Sequence, residues 1–84
     1  MRRPYFVYVI YSKTVKKKYT GYTENVSIRL RQHNEGTLSR FTKNKGPWEL
    51  IYTEEFINKT DALKREKYLK TGAGRDFIKE KFGI

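Results

Sequence analysis

Phe6-Val7-Tyr8-Val9-Ile10, then Tyr19-Thr20-Gly21, then Ile28-Arg29-Leu30-Arg31-Gln32-His33-Asn34: the stretch from Phe6 to Asn34 decides how this chain folds. Tyr5 to Ser12 is rich in β-branched and aromatic residues and is apolar on both alternating sets, which predicts a strand covered on both faces and central in its sheet. Lys13 to Lys18 interrupts the pattern with lysines and Thr14, as a hairpin connection does, and Lys18 to Thr23 resumes a shorter strand. The two strands are therefore expected to pair antiparallel. Gly21 falls inside the second of them, where glycine weakens a strand and marks either a bulge or a place where another backbone or a ligand approaches closely. It is a structural candidate on either reading.

From Asn25 the period changes to that of a helix. Asn25 suits an N-cap, Val26, Arg29, Leu30 and His33 fall on one arc, and Asn34-Glu35-Gly36 provides a stop. Ile28 and Arg31 lie off that arc. Thr37 to Pro47 has no sustained period and carries Arg40, Lys43 and Lys45, so it reads as a basic loop or an irregular turn of helix. Trp48 to Phe56 alternates as a third strand, with Trp48, Leu50 and Tyr52 expected on one face and Glu49, Ile51 and Thr53 on the other. Thr60 is placed as the cap of a second helix running to about Lys70, where Thr71-Gly72 stops it. Its apolar face would be Ala62, Leu63, Glu66 and Leu69. A last helix, Asp76 to Phe82, would lay Phe77, Ile78 and Phe82 over the core as a lid. The order ββαβαα predicts an α+β fold: a small three-stranded antiparallel sheet flanked by helices.

At 84 residues the chain is expected to be a single domain, residues 1–84, since a chain of this size buries only about 60% of its unfolded surface and lacks material for a second core. The absence of cysteine excludes disulfides and thiolate metal sites. No apolar run approaches the ~18 residues of a spanning helix, and Met1-Arg2-Arg3-Pro4 does not open a signal peptide, so the expectation is a cytoplasmic protein with no membrane partner. A net charge of +10 favours a polyanionic partner, although a lysine-rich surface also serves solubility. Seven tyrosines, five phenylalanines and Trp48 are more rings than so small a core obviously requires, and rings among lysines can stack on bases.

Five residues could carry chemistry. Glu66 lies in the middle of an apolar stripe, where burying an unpaired carboxylate costs several kcal/mol. A compensating cation is required: an arginine such as Arg29, or a divalent metal. A single carboxylate completed by water and phosphate oxygens suits Mg²⁺, which keeps much of its hydration shell. Arg29 and His33, four apart on one helical face, have bland readings as an ion-pair partner and as a histidine satisfied on a carbonyl. Together they could stabilise a pentacoordinate phosphate and move a proton. Tyr8 and Tyr19 are strand tyrosines, ordinarily packing residues, and a phenol near pKa 10 is a poor base unless neighbouring cations lower it. No phosphate-cradling glycine loop or serine-histidine-aspartate set is visible, and a single histidine excludes multi-histidine metal sites.

The ordered set resembles the GIY-YIG nuclease superfamily, in particular its small stand-alone bacterial branch. Phe6-Val7-Tyr8 stands at the first motif, Tyr19-Thr20-Gly21 at the second, Arg29 in Ile28-Arg29-Leu30-Arg31-Gln32-His33-Asn34 next, and Glu66 in Leu63-Lys64-Arg65-Glu66-Lys67 last. The resemblance implies a metal-dependent phosphodiesterase in which Glu66 holds one Mg²⁺ or Mn²⁺, Arg29 braces the scissile phosphate, a tyrosine helps to activate water and His33 assists. Tyr8 and Tyr19 both stand as the tyrosine. Phe6 and Thr20 depart from the motifs' opening glycine and middle isoleucine, and Gly72-Ala73-Gly74-Arg75 stands where some relatives carry an asparagine. The implied substrate is nucleic acid, DNA before RNA, in repair or processing. Lys18, Arg31, Arg40, Lys43, Lys45 and Arg75 are its candidate contacts, and a protein partner is a second route to targeting. The alternatives are a non-catalytic nucleic-acid-binding module on the same scaffold, and an adaptor docking a protein through Tyr22, Phe41 or Trp48.

Overall fold

The computed structural model describes residues 3–38 and 40–84; the expectations for Met1 and Arg2, and for Ser39 in the basic loop, fall outside it. The elements are β1 (Tyr5–Ser12), β2 (Lys17–Thr23), α1 (Val26–Glu35), β3 (Glu49–Phe56), α2 (Lys59–Leu69) and α3 (Gly72–Phe82). The fold is α+β, and its three-stranded antiparallel sheet has the order β2-β1-β3, so β1 is central. That position is why β1 is apolar on both alternating sets. Val7 and Val9 face α2 and α3 in a core with Ala62, Leu69 and Ile78, while Tyr8 and Ile10 face the other way, towards Trp48, Tyr19 and Leu30.

The helix α1 begins as its sequence requires. Asn25 accepts a hydrogen bond from the Ile28 amide at 3.0 Å, and Gly36 ends the helix at φ 74°, the left-handed region that glycine enters without strain. Its buried arc ends on His33, while Ile28 and Arg31 are exposed.

Three local expectations are corrected. In β3 the register against β1 shifts, so that Val9 opposes Tyr52 while Ile10 opposes Leu50. Ile51 is the extra residue of a bulge, which interrupts the alternation. Tyr52 therefore joins the Val9 core, whereas Trp48 packs with Ile10 on the opposite face. The cap of α2 is Asn58 rather than Thr60: its side chain accepts from the Asp61 amide at 2.9 Å and donates back to the Asp61 carboxylate at 3.1 Å, closing a reciprocal cap. Leu63, expected on the apolar face, is exposed, and the buried stripe of α2 is Ala62 and Leu69.

Thr71-Gly72 ends α2 but also starts α3, four residues earlier than Asp76. Thr71 caps α3 by accepting from the Gly74 amide at 3.2 Å. A Cβ on Gly74 would lie 2.2 Å from the Tyr68 carbonyl oxygen and 2.4 Å from the Leu69 Cα, so the first turn of α3 rests directly on the backbone of the last turn of α2. Only glycine permits that approach. Phe77, Ile78 and Phe82 of α3 then cover the Val7–Val9 core.

Arg65, outside the expected apolar stripe, makes the best-formed ion pair. Its Nε and Nη2 donate to Glu54 Oε1 and Oε2 at 2.7 and 3.0 Å, and its guanidinium lies 5.3 Å from the Phe77 ring centroid. Tyr52 also donates to Glu54. This fork ties β3 to α2.

Candidate nuclease site

The sheet face under α1 carries a buried polar chain. Tyr8, 2% exposed, shares a hydrogen bond of 2.7 Å between its hydroxyl and Nε2 of the fully buried His33. The other ring nitrogen of His33, Nδ1, lies 2.9 Å from the Thr42 hydroxyl, so both nitrogens are partnered. Burial, and after it the Arg29 charge, hold the imidazole pKa down at about 4 from its ordinary 6.5, so His33 is neutral at physiological pH. In the tautomer that gives its Nδ1 proton to Thr42, Nε2 accepts the Tyr8 hydroxyl proton.

Burial pushes the Tyr8 phenol well above its ordinary pKa, with Tyr19 adding to the rise, Arg29 opposing it and Glu66 adding to it. Tyr8 is accordingly a protonated donor rather than a phenolate. Its position is set by Gly21, its partner across the β1–β2 ladder: a Cβ there would lie 2.6 Å from the Tyr8 hydroxyl oxygen and 2.8 Å from Cζ. Gly21 marks neither a bulge, since the β1–β2 register is regular there, nor the approach of another backbone: what comes close is the side chain of Tyr8.

Tyr19 stands at the rim of this chain. Its ring lies 4.8 Å from His33, 6.4 Å from Tyr8 and 5.8 Å from Phe41, centroid to centroid. Half-exposed, it also lines a cleft of about 560 Å³ beside the edge strand β2. Arg29, half-buried one turn before His33, lines a smaller hollow of about 270 Å³ with Tyr5, Tyr22 and Lys59.

Glu66 is half-buried, with 18% of its side chain exposed, and its carboxylate lies 3.6 Å from the Lys70 ammonium one turn further along α2. Among the described residues, the compensating cation is therefore Lys70 and not Arg29. The pairing follows from helix geometry, since residues four apart share a face. Lys70 also sits 5.9 Å over the Tyr19 ring, which brings the α2 end of the site to the rim of the α1 end.

Among the described residues no group of three or more histidine, cysteine or acidic side chains gathers to cage a metal. One accessible carboxylate is nonetheless the donor set that suits Mg²⁺, an ion that keeps its waters and takes phosphate oxygens. For an ion to bind there, the 3.6 Å contact between Glu66 and Lys70 would have to open.

The candidate nucleic-acid contacts divide. Lys18 and Arg75 line the cleft, with the Lys18 ammonium donating to the Ile84 main-chain oxygen at 2.7 Å. Lys45 lies 4.6 Å over the Phe41 ring, and Arg40 and Lys43 are exposed on the same loop. Arg31 points elsewhere, into an exposed pair with Glu35 at 3.7 Å.

Two contributors escaped the sequence reading. Thr42, fully buried, lies in a loop with no period to flag it. Asn34, read as part of a helix stop, pins the end of that loop by accepting from the Trp48 amide and donating to the Trp48 carbonyl at 3.2 Å. Trp48 itself is buried and donates from Nε1 to the Thr42 carbonyl at 3.0 Å, so it is unavailable as a docking surface.

Residues 4–77 match the GIY-YIG catalytic domain, and the chain belongs to that nuclease family. It is 36% identical over 70 residues to a UPF0213 protein of Oceanobacillus iheyensis, covering 83% of this chain and 80% of that protein. A UPF0213 protein of Clostridium perfringens is 40% identical over 65 residues, covering 77% and 69%. The solution NMR structure of a UPF0213 protein from Bacillus halodurans shares the fold at a TM-score of 0.56 and 28% identity, covering 95% of this chain and 86% of that one. No helix among the described residues is long and apolar enough to cross a membrane.

Proposed function

We propose that this chain is a divalent-metal-dependent nuclease that hydrolyses phosphodiester bonds, in DNA before RNA, in repair or processing. The observation that carries the reading is the buried chain in which Tyr8 shares a hydrogen bond with His33 and His33 another with Thr42, with the accessible Tyr19 ring 4.8 Å from the imidazole. Glu66 is the residue that would hold Mg²⁺ or Mn²⁺. The chemistry such an ion supplies when bound is Lewis-acid polarisation of a phosphoryl oxygen and stabilisation of the leaving oxygen.

The protein's own groups supply the rest. Arg29 stabilises the charge that builds on the phosphorus oxygens as water adds and the bond to the leaving oxygen breaks. Tyr19, the accessible tyrosine, orients the water, whose proton leaves to solvent, while the Tyr8–His33–Thr42 chain fixes the ring beside it.

The test is cleavage of labelled single-stranded, duplex and branched DNA and RNA with Mg²⁺ or Mn²⁺, beside Glu66→Gln and Arg29→Ala. Each variant is expected to lower the rate about 10²- to 10³-fold with an unchanged thermal melt. Cleavage that survives both would sink the assignment. The second reading, a binding module without turnover, is favoured by the Glu66–Lys70 pair, which already neutralises the carboxylate. It requires salt-sensitive binding and no metal-dependent cleavage by the unmodified chain.

A further inference from the structure

The cleft beside β2 has an apolar floor and a basic rim. Leu69 and Ile78 line its depth, while Lys16, Lys18, Lys70 and Arg75 stand around it and Tyr19 and Phe41 form one side. Its volume, about 560 Å³, falls in the ~300–1,000 Å³ range of pockets that enclose a ligand, whereas phosphates of a duplex need only a charged surface. A duplex keeps its bases paired inside and has nothing apolar to offer such a floor. An unpaired nucleotide offers both parts: a flat base for the floor and rings, and a phosphate for the rim.

The rings are arranged for this. Phe41 is 42% exposed, its centroid 5.8 Å from that of Tyr19, with the two planes inclined by 34°. Trp48 backs Phe41 at 6.4 Å from the buried side. The Lys45 ammonium, 4.6 Å from the Phe41 ring centroid, puts a cation for a flanking phosphate beside the ring. The cleft meets the catalytic residues at two points, Tyr19 beside His33 and Lys70 beside Glu66. Burial and then the charges of Lys79 and Arg75 lower the Lys18 pKa, with Asp76 opposing, as in a site crowded with cations.

We infer that this cleft binds single-stranded nucleic acid, with an unpaired base against Phe41 and Tyr19 and the adjoining phosphates on Lys18, Lys70 and Arg75, and so selects unpaired segments as substrate. The inference rests on the nuclease reading for what happens to the strand next, but the binding itself does not need turnover. Fluorescence anisotropy in EDTA therefore tests it separately, using a labelled oligothymidylate, the matching oligouridylate and a blunt duplex of equal length.

The single strands are expected to bind more tightly than the duplex. Phe41→Ala should weaken single-strand binding about five- to a hundredfold, the range that loss of one stacked base gives, and Phe41→Trp should retain it. Arg75→Gln, at an exposed position, should reduce the slope of log affinity against log salt by about 0.7. Equal binding of duplex and single strand, or no change with Phe41→Ala in a chain whose melt is unaltered, overturns the inference. If Phe41→Ala fails to fold, the Arg75→Gln slope decides: an unchanged slope overturns it. Tight single-strand binding without any metal-dependent cleavage would overturn the hydrolytic reading and leave this one standing, and cleavage without preference for unpaired strands does the reverse.

Discussion

On one face of the sheet, Val7 and Val9 meet Ala62, Leu69 and Ile78, and the buried contacts of that core are apolar. On the other, Tyr8 and Ile10 meet His33, Thr42 and Trp48, and buried hydroxyls, an imidazole and an indole are joined by hydrogen bonds. Both faces are covered, and both are set by alternate residues of one strand. They differ in what a substitution removes. The apolar face loses dispersion and transfer energy in proportion to volume, whereas the polar face loses little until one partner is deleted, and then bears the full cost of an unsatisfied buried group. A fold this small can hold a neutral imidazole in its interior because the opposite face supplies the apolar burial.

The sharpest way to break that comparison lies on the apolar side. Gly74→Val should destabilise by about 3 kcal/mol or more, or prevent folding, since its Cβ meets main-chain atoms of Tyr68 and Leu69 that cannot move away singly. Urea midpoints measure it, and the loss should be the same at about pH 5 as at about pH 7.

The next effect belongs to the polar side and is a pH dependence. The folded chain holds His33 at about 4 against an ordinary 6.5. Between those values the unfolded chain binds more protons, so stability is intact above about pH 6.5 and falls as pH drops towards 4; below that both states are protonated and the loss levels off. Its size is on the order of 3 kcal/mol. A urea series across this window should show the slope, and His33→Gln should flatten it. A wild-type curve already flat there would remove the distinction between the faces.

Gly21→Ala should cost about 1–3 kcal/mol, because its methyl group would occupy the space of the Tyr8 phenol, and it should depress cleavage further than its stability loss explains. Activity unaltered in that variant would show that the placement of Tyr8 is dispensable. Thr42→Val leaves Nδ1 of His33 without its partner and is expected to cost about 1–2 kcal/mol, with Thr42→Ser restoring most of it. At the small end, Arg31→Ala removes an exposed pair with Glu35 and should change stability by less than about 0.5 kcal/mol on thermal melting.

Much of the fold is written locally. The double-sided apolar run of β1 names the central strand, Asn25 and Gly36 bracket α1, and the arc of Val26, Leu30 and His33 fixes which side of that helix turns inward. The misreadings have local causes as well. A bulge breaks the two-residue alternation at Ile51, and a threonine-glycine pair that ends one helix also caps the next. Glu66 could be singled out because a carboxylate on an apolar stripe demands a partner, Arg29 and His33 because they share one helical arc, and Tyr8 and Tyr19 through the resemblance to the family's motifs. What they touch could not.

By itself the sequence determined the α+β class, the element order and the set of polar residues turned towards the sheet, because each follows from periodicity and capping within a few residues. Only the tertiary structure decided that Tyr8 bonds His33, that Thr42 completes the chain, that Lys70 rather than Arg29 answers Glu66 among the described residues, and that Gly21 is small to admit a phenol. The first, second and last of these join residues far enough apart in sequence that no local pattern encodes them. The third is local, but which of two cations a carboxylate takes depends on how far α2 stands from α1 across the sheet, and that distance is set by packing.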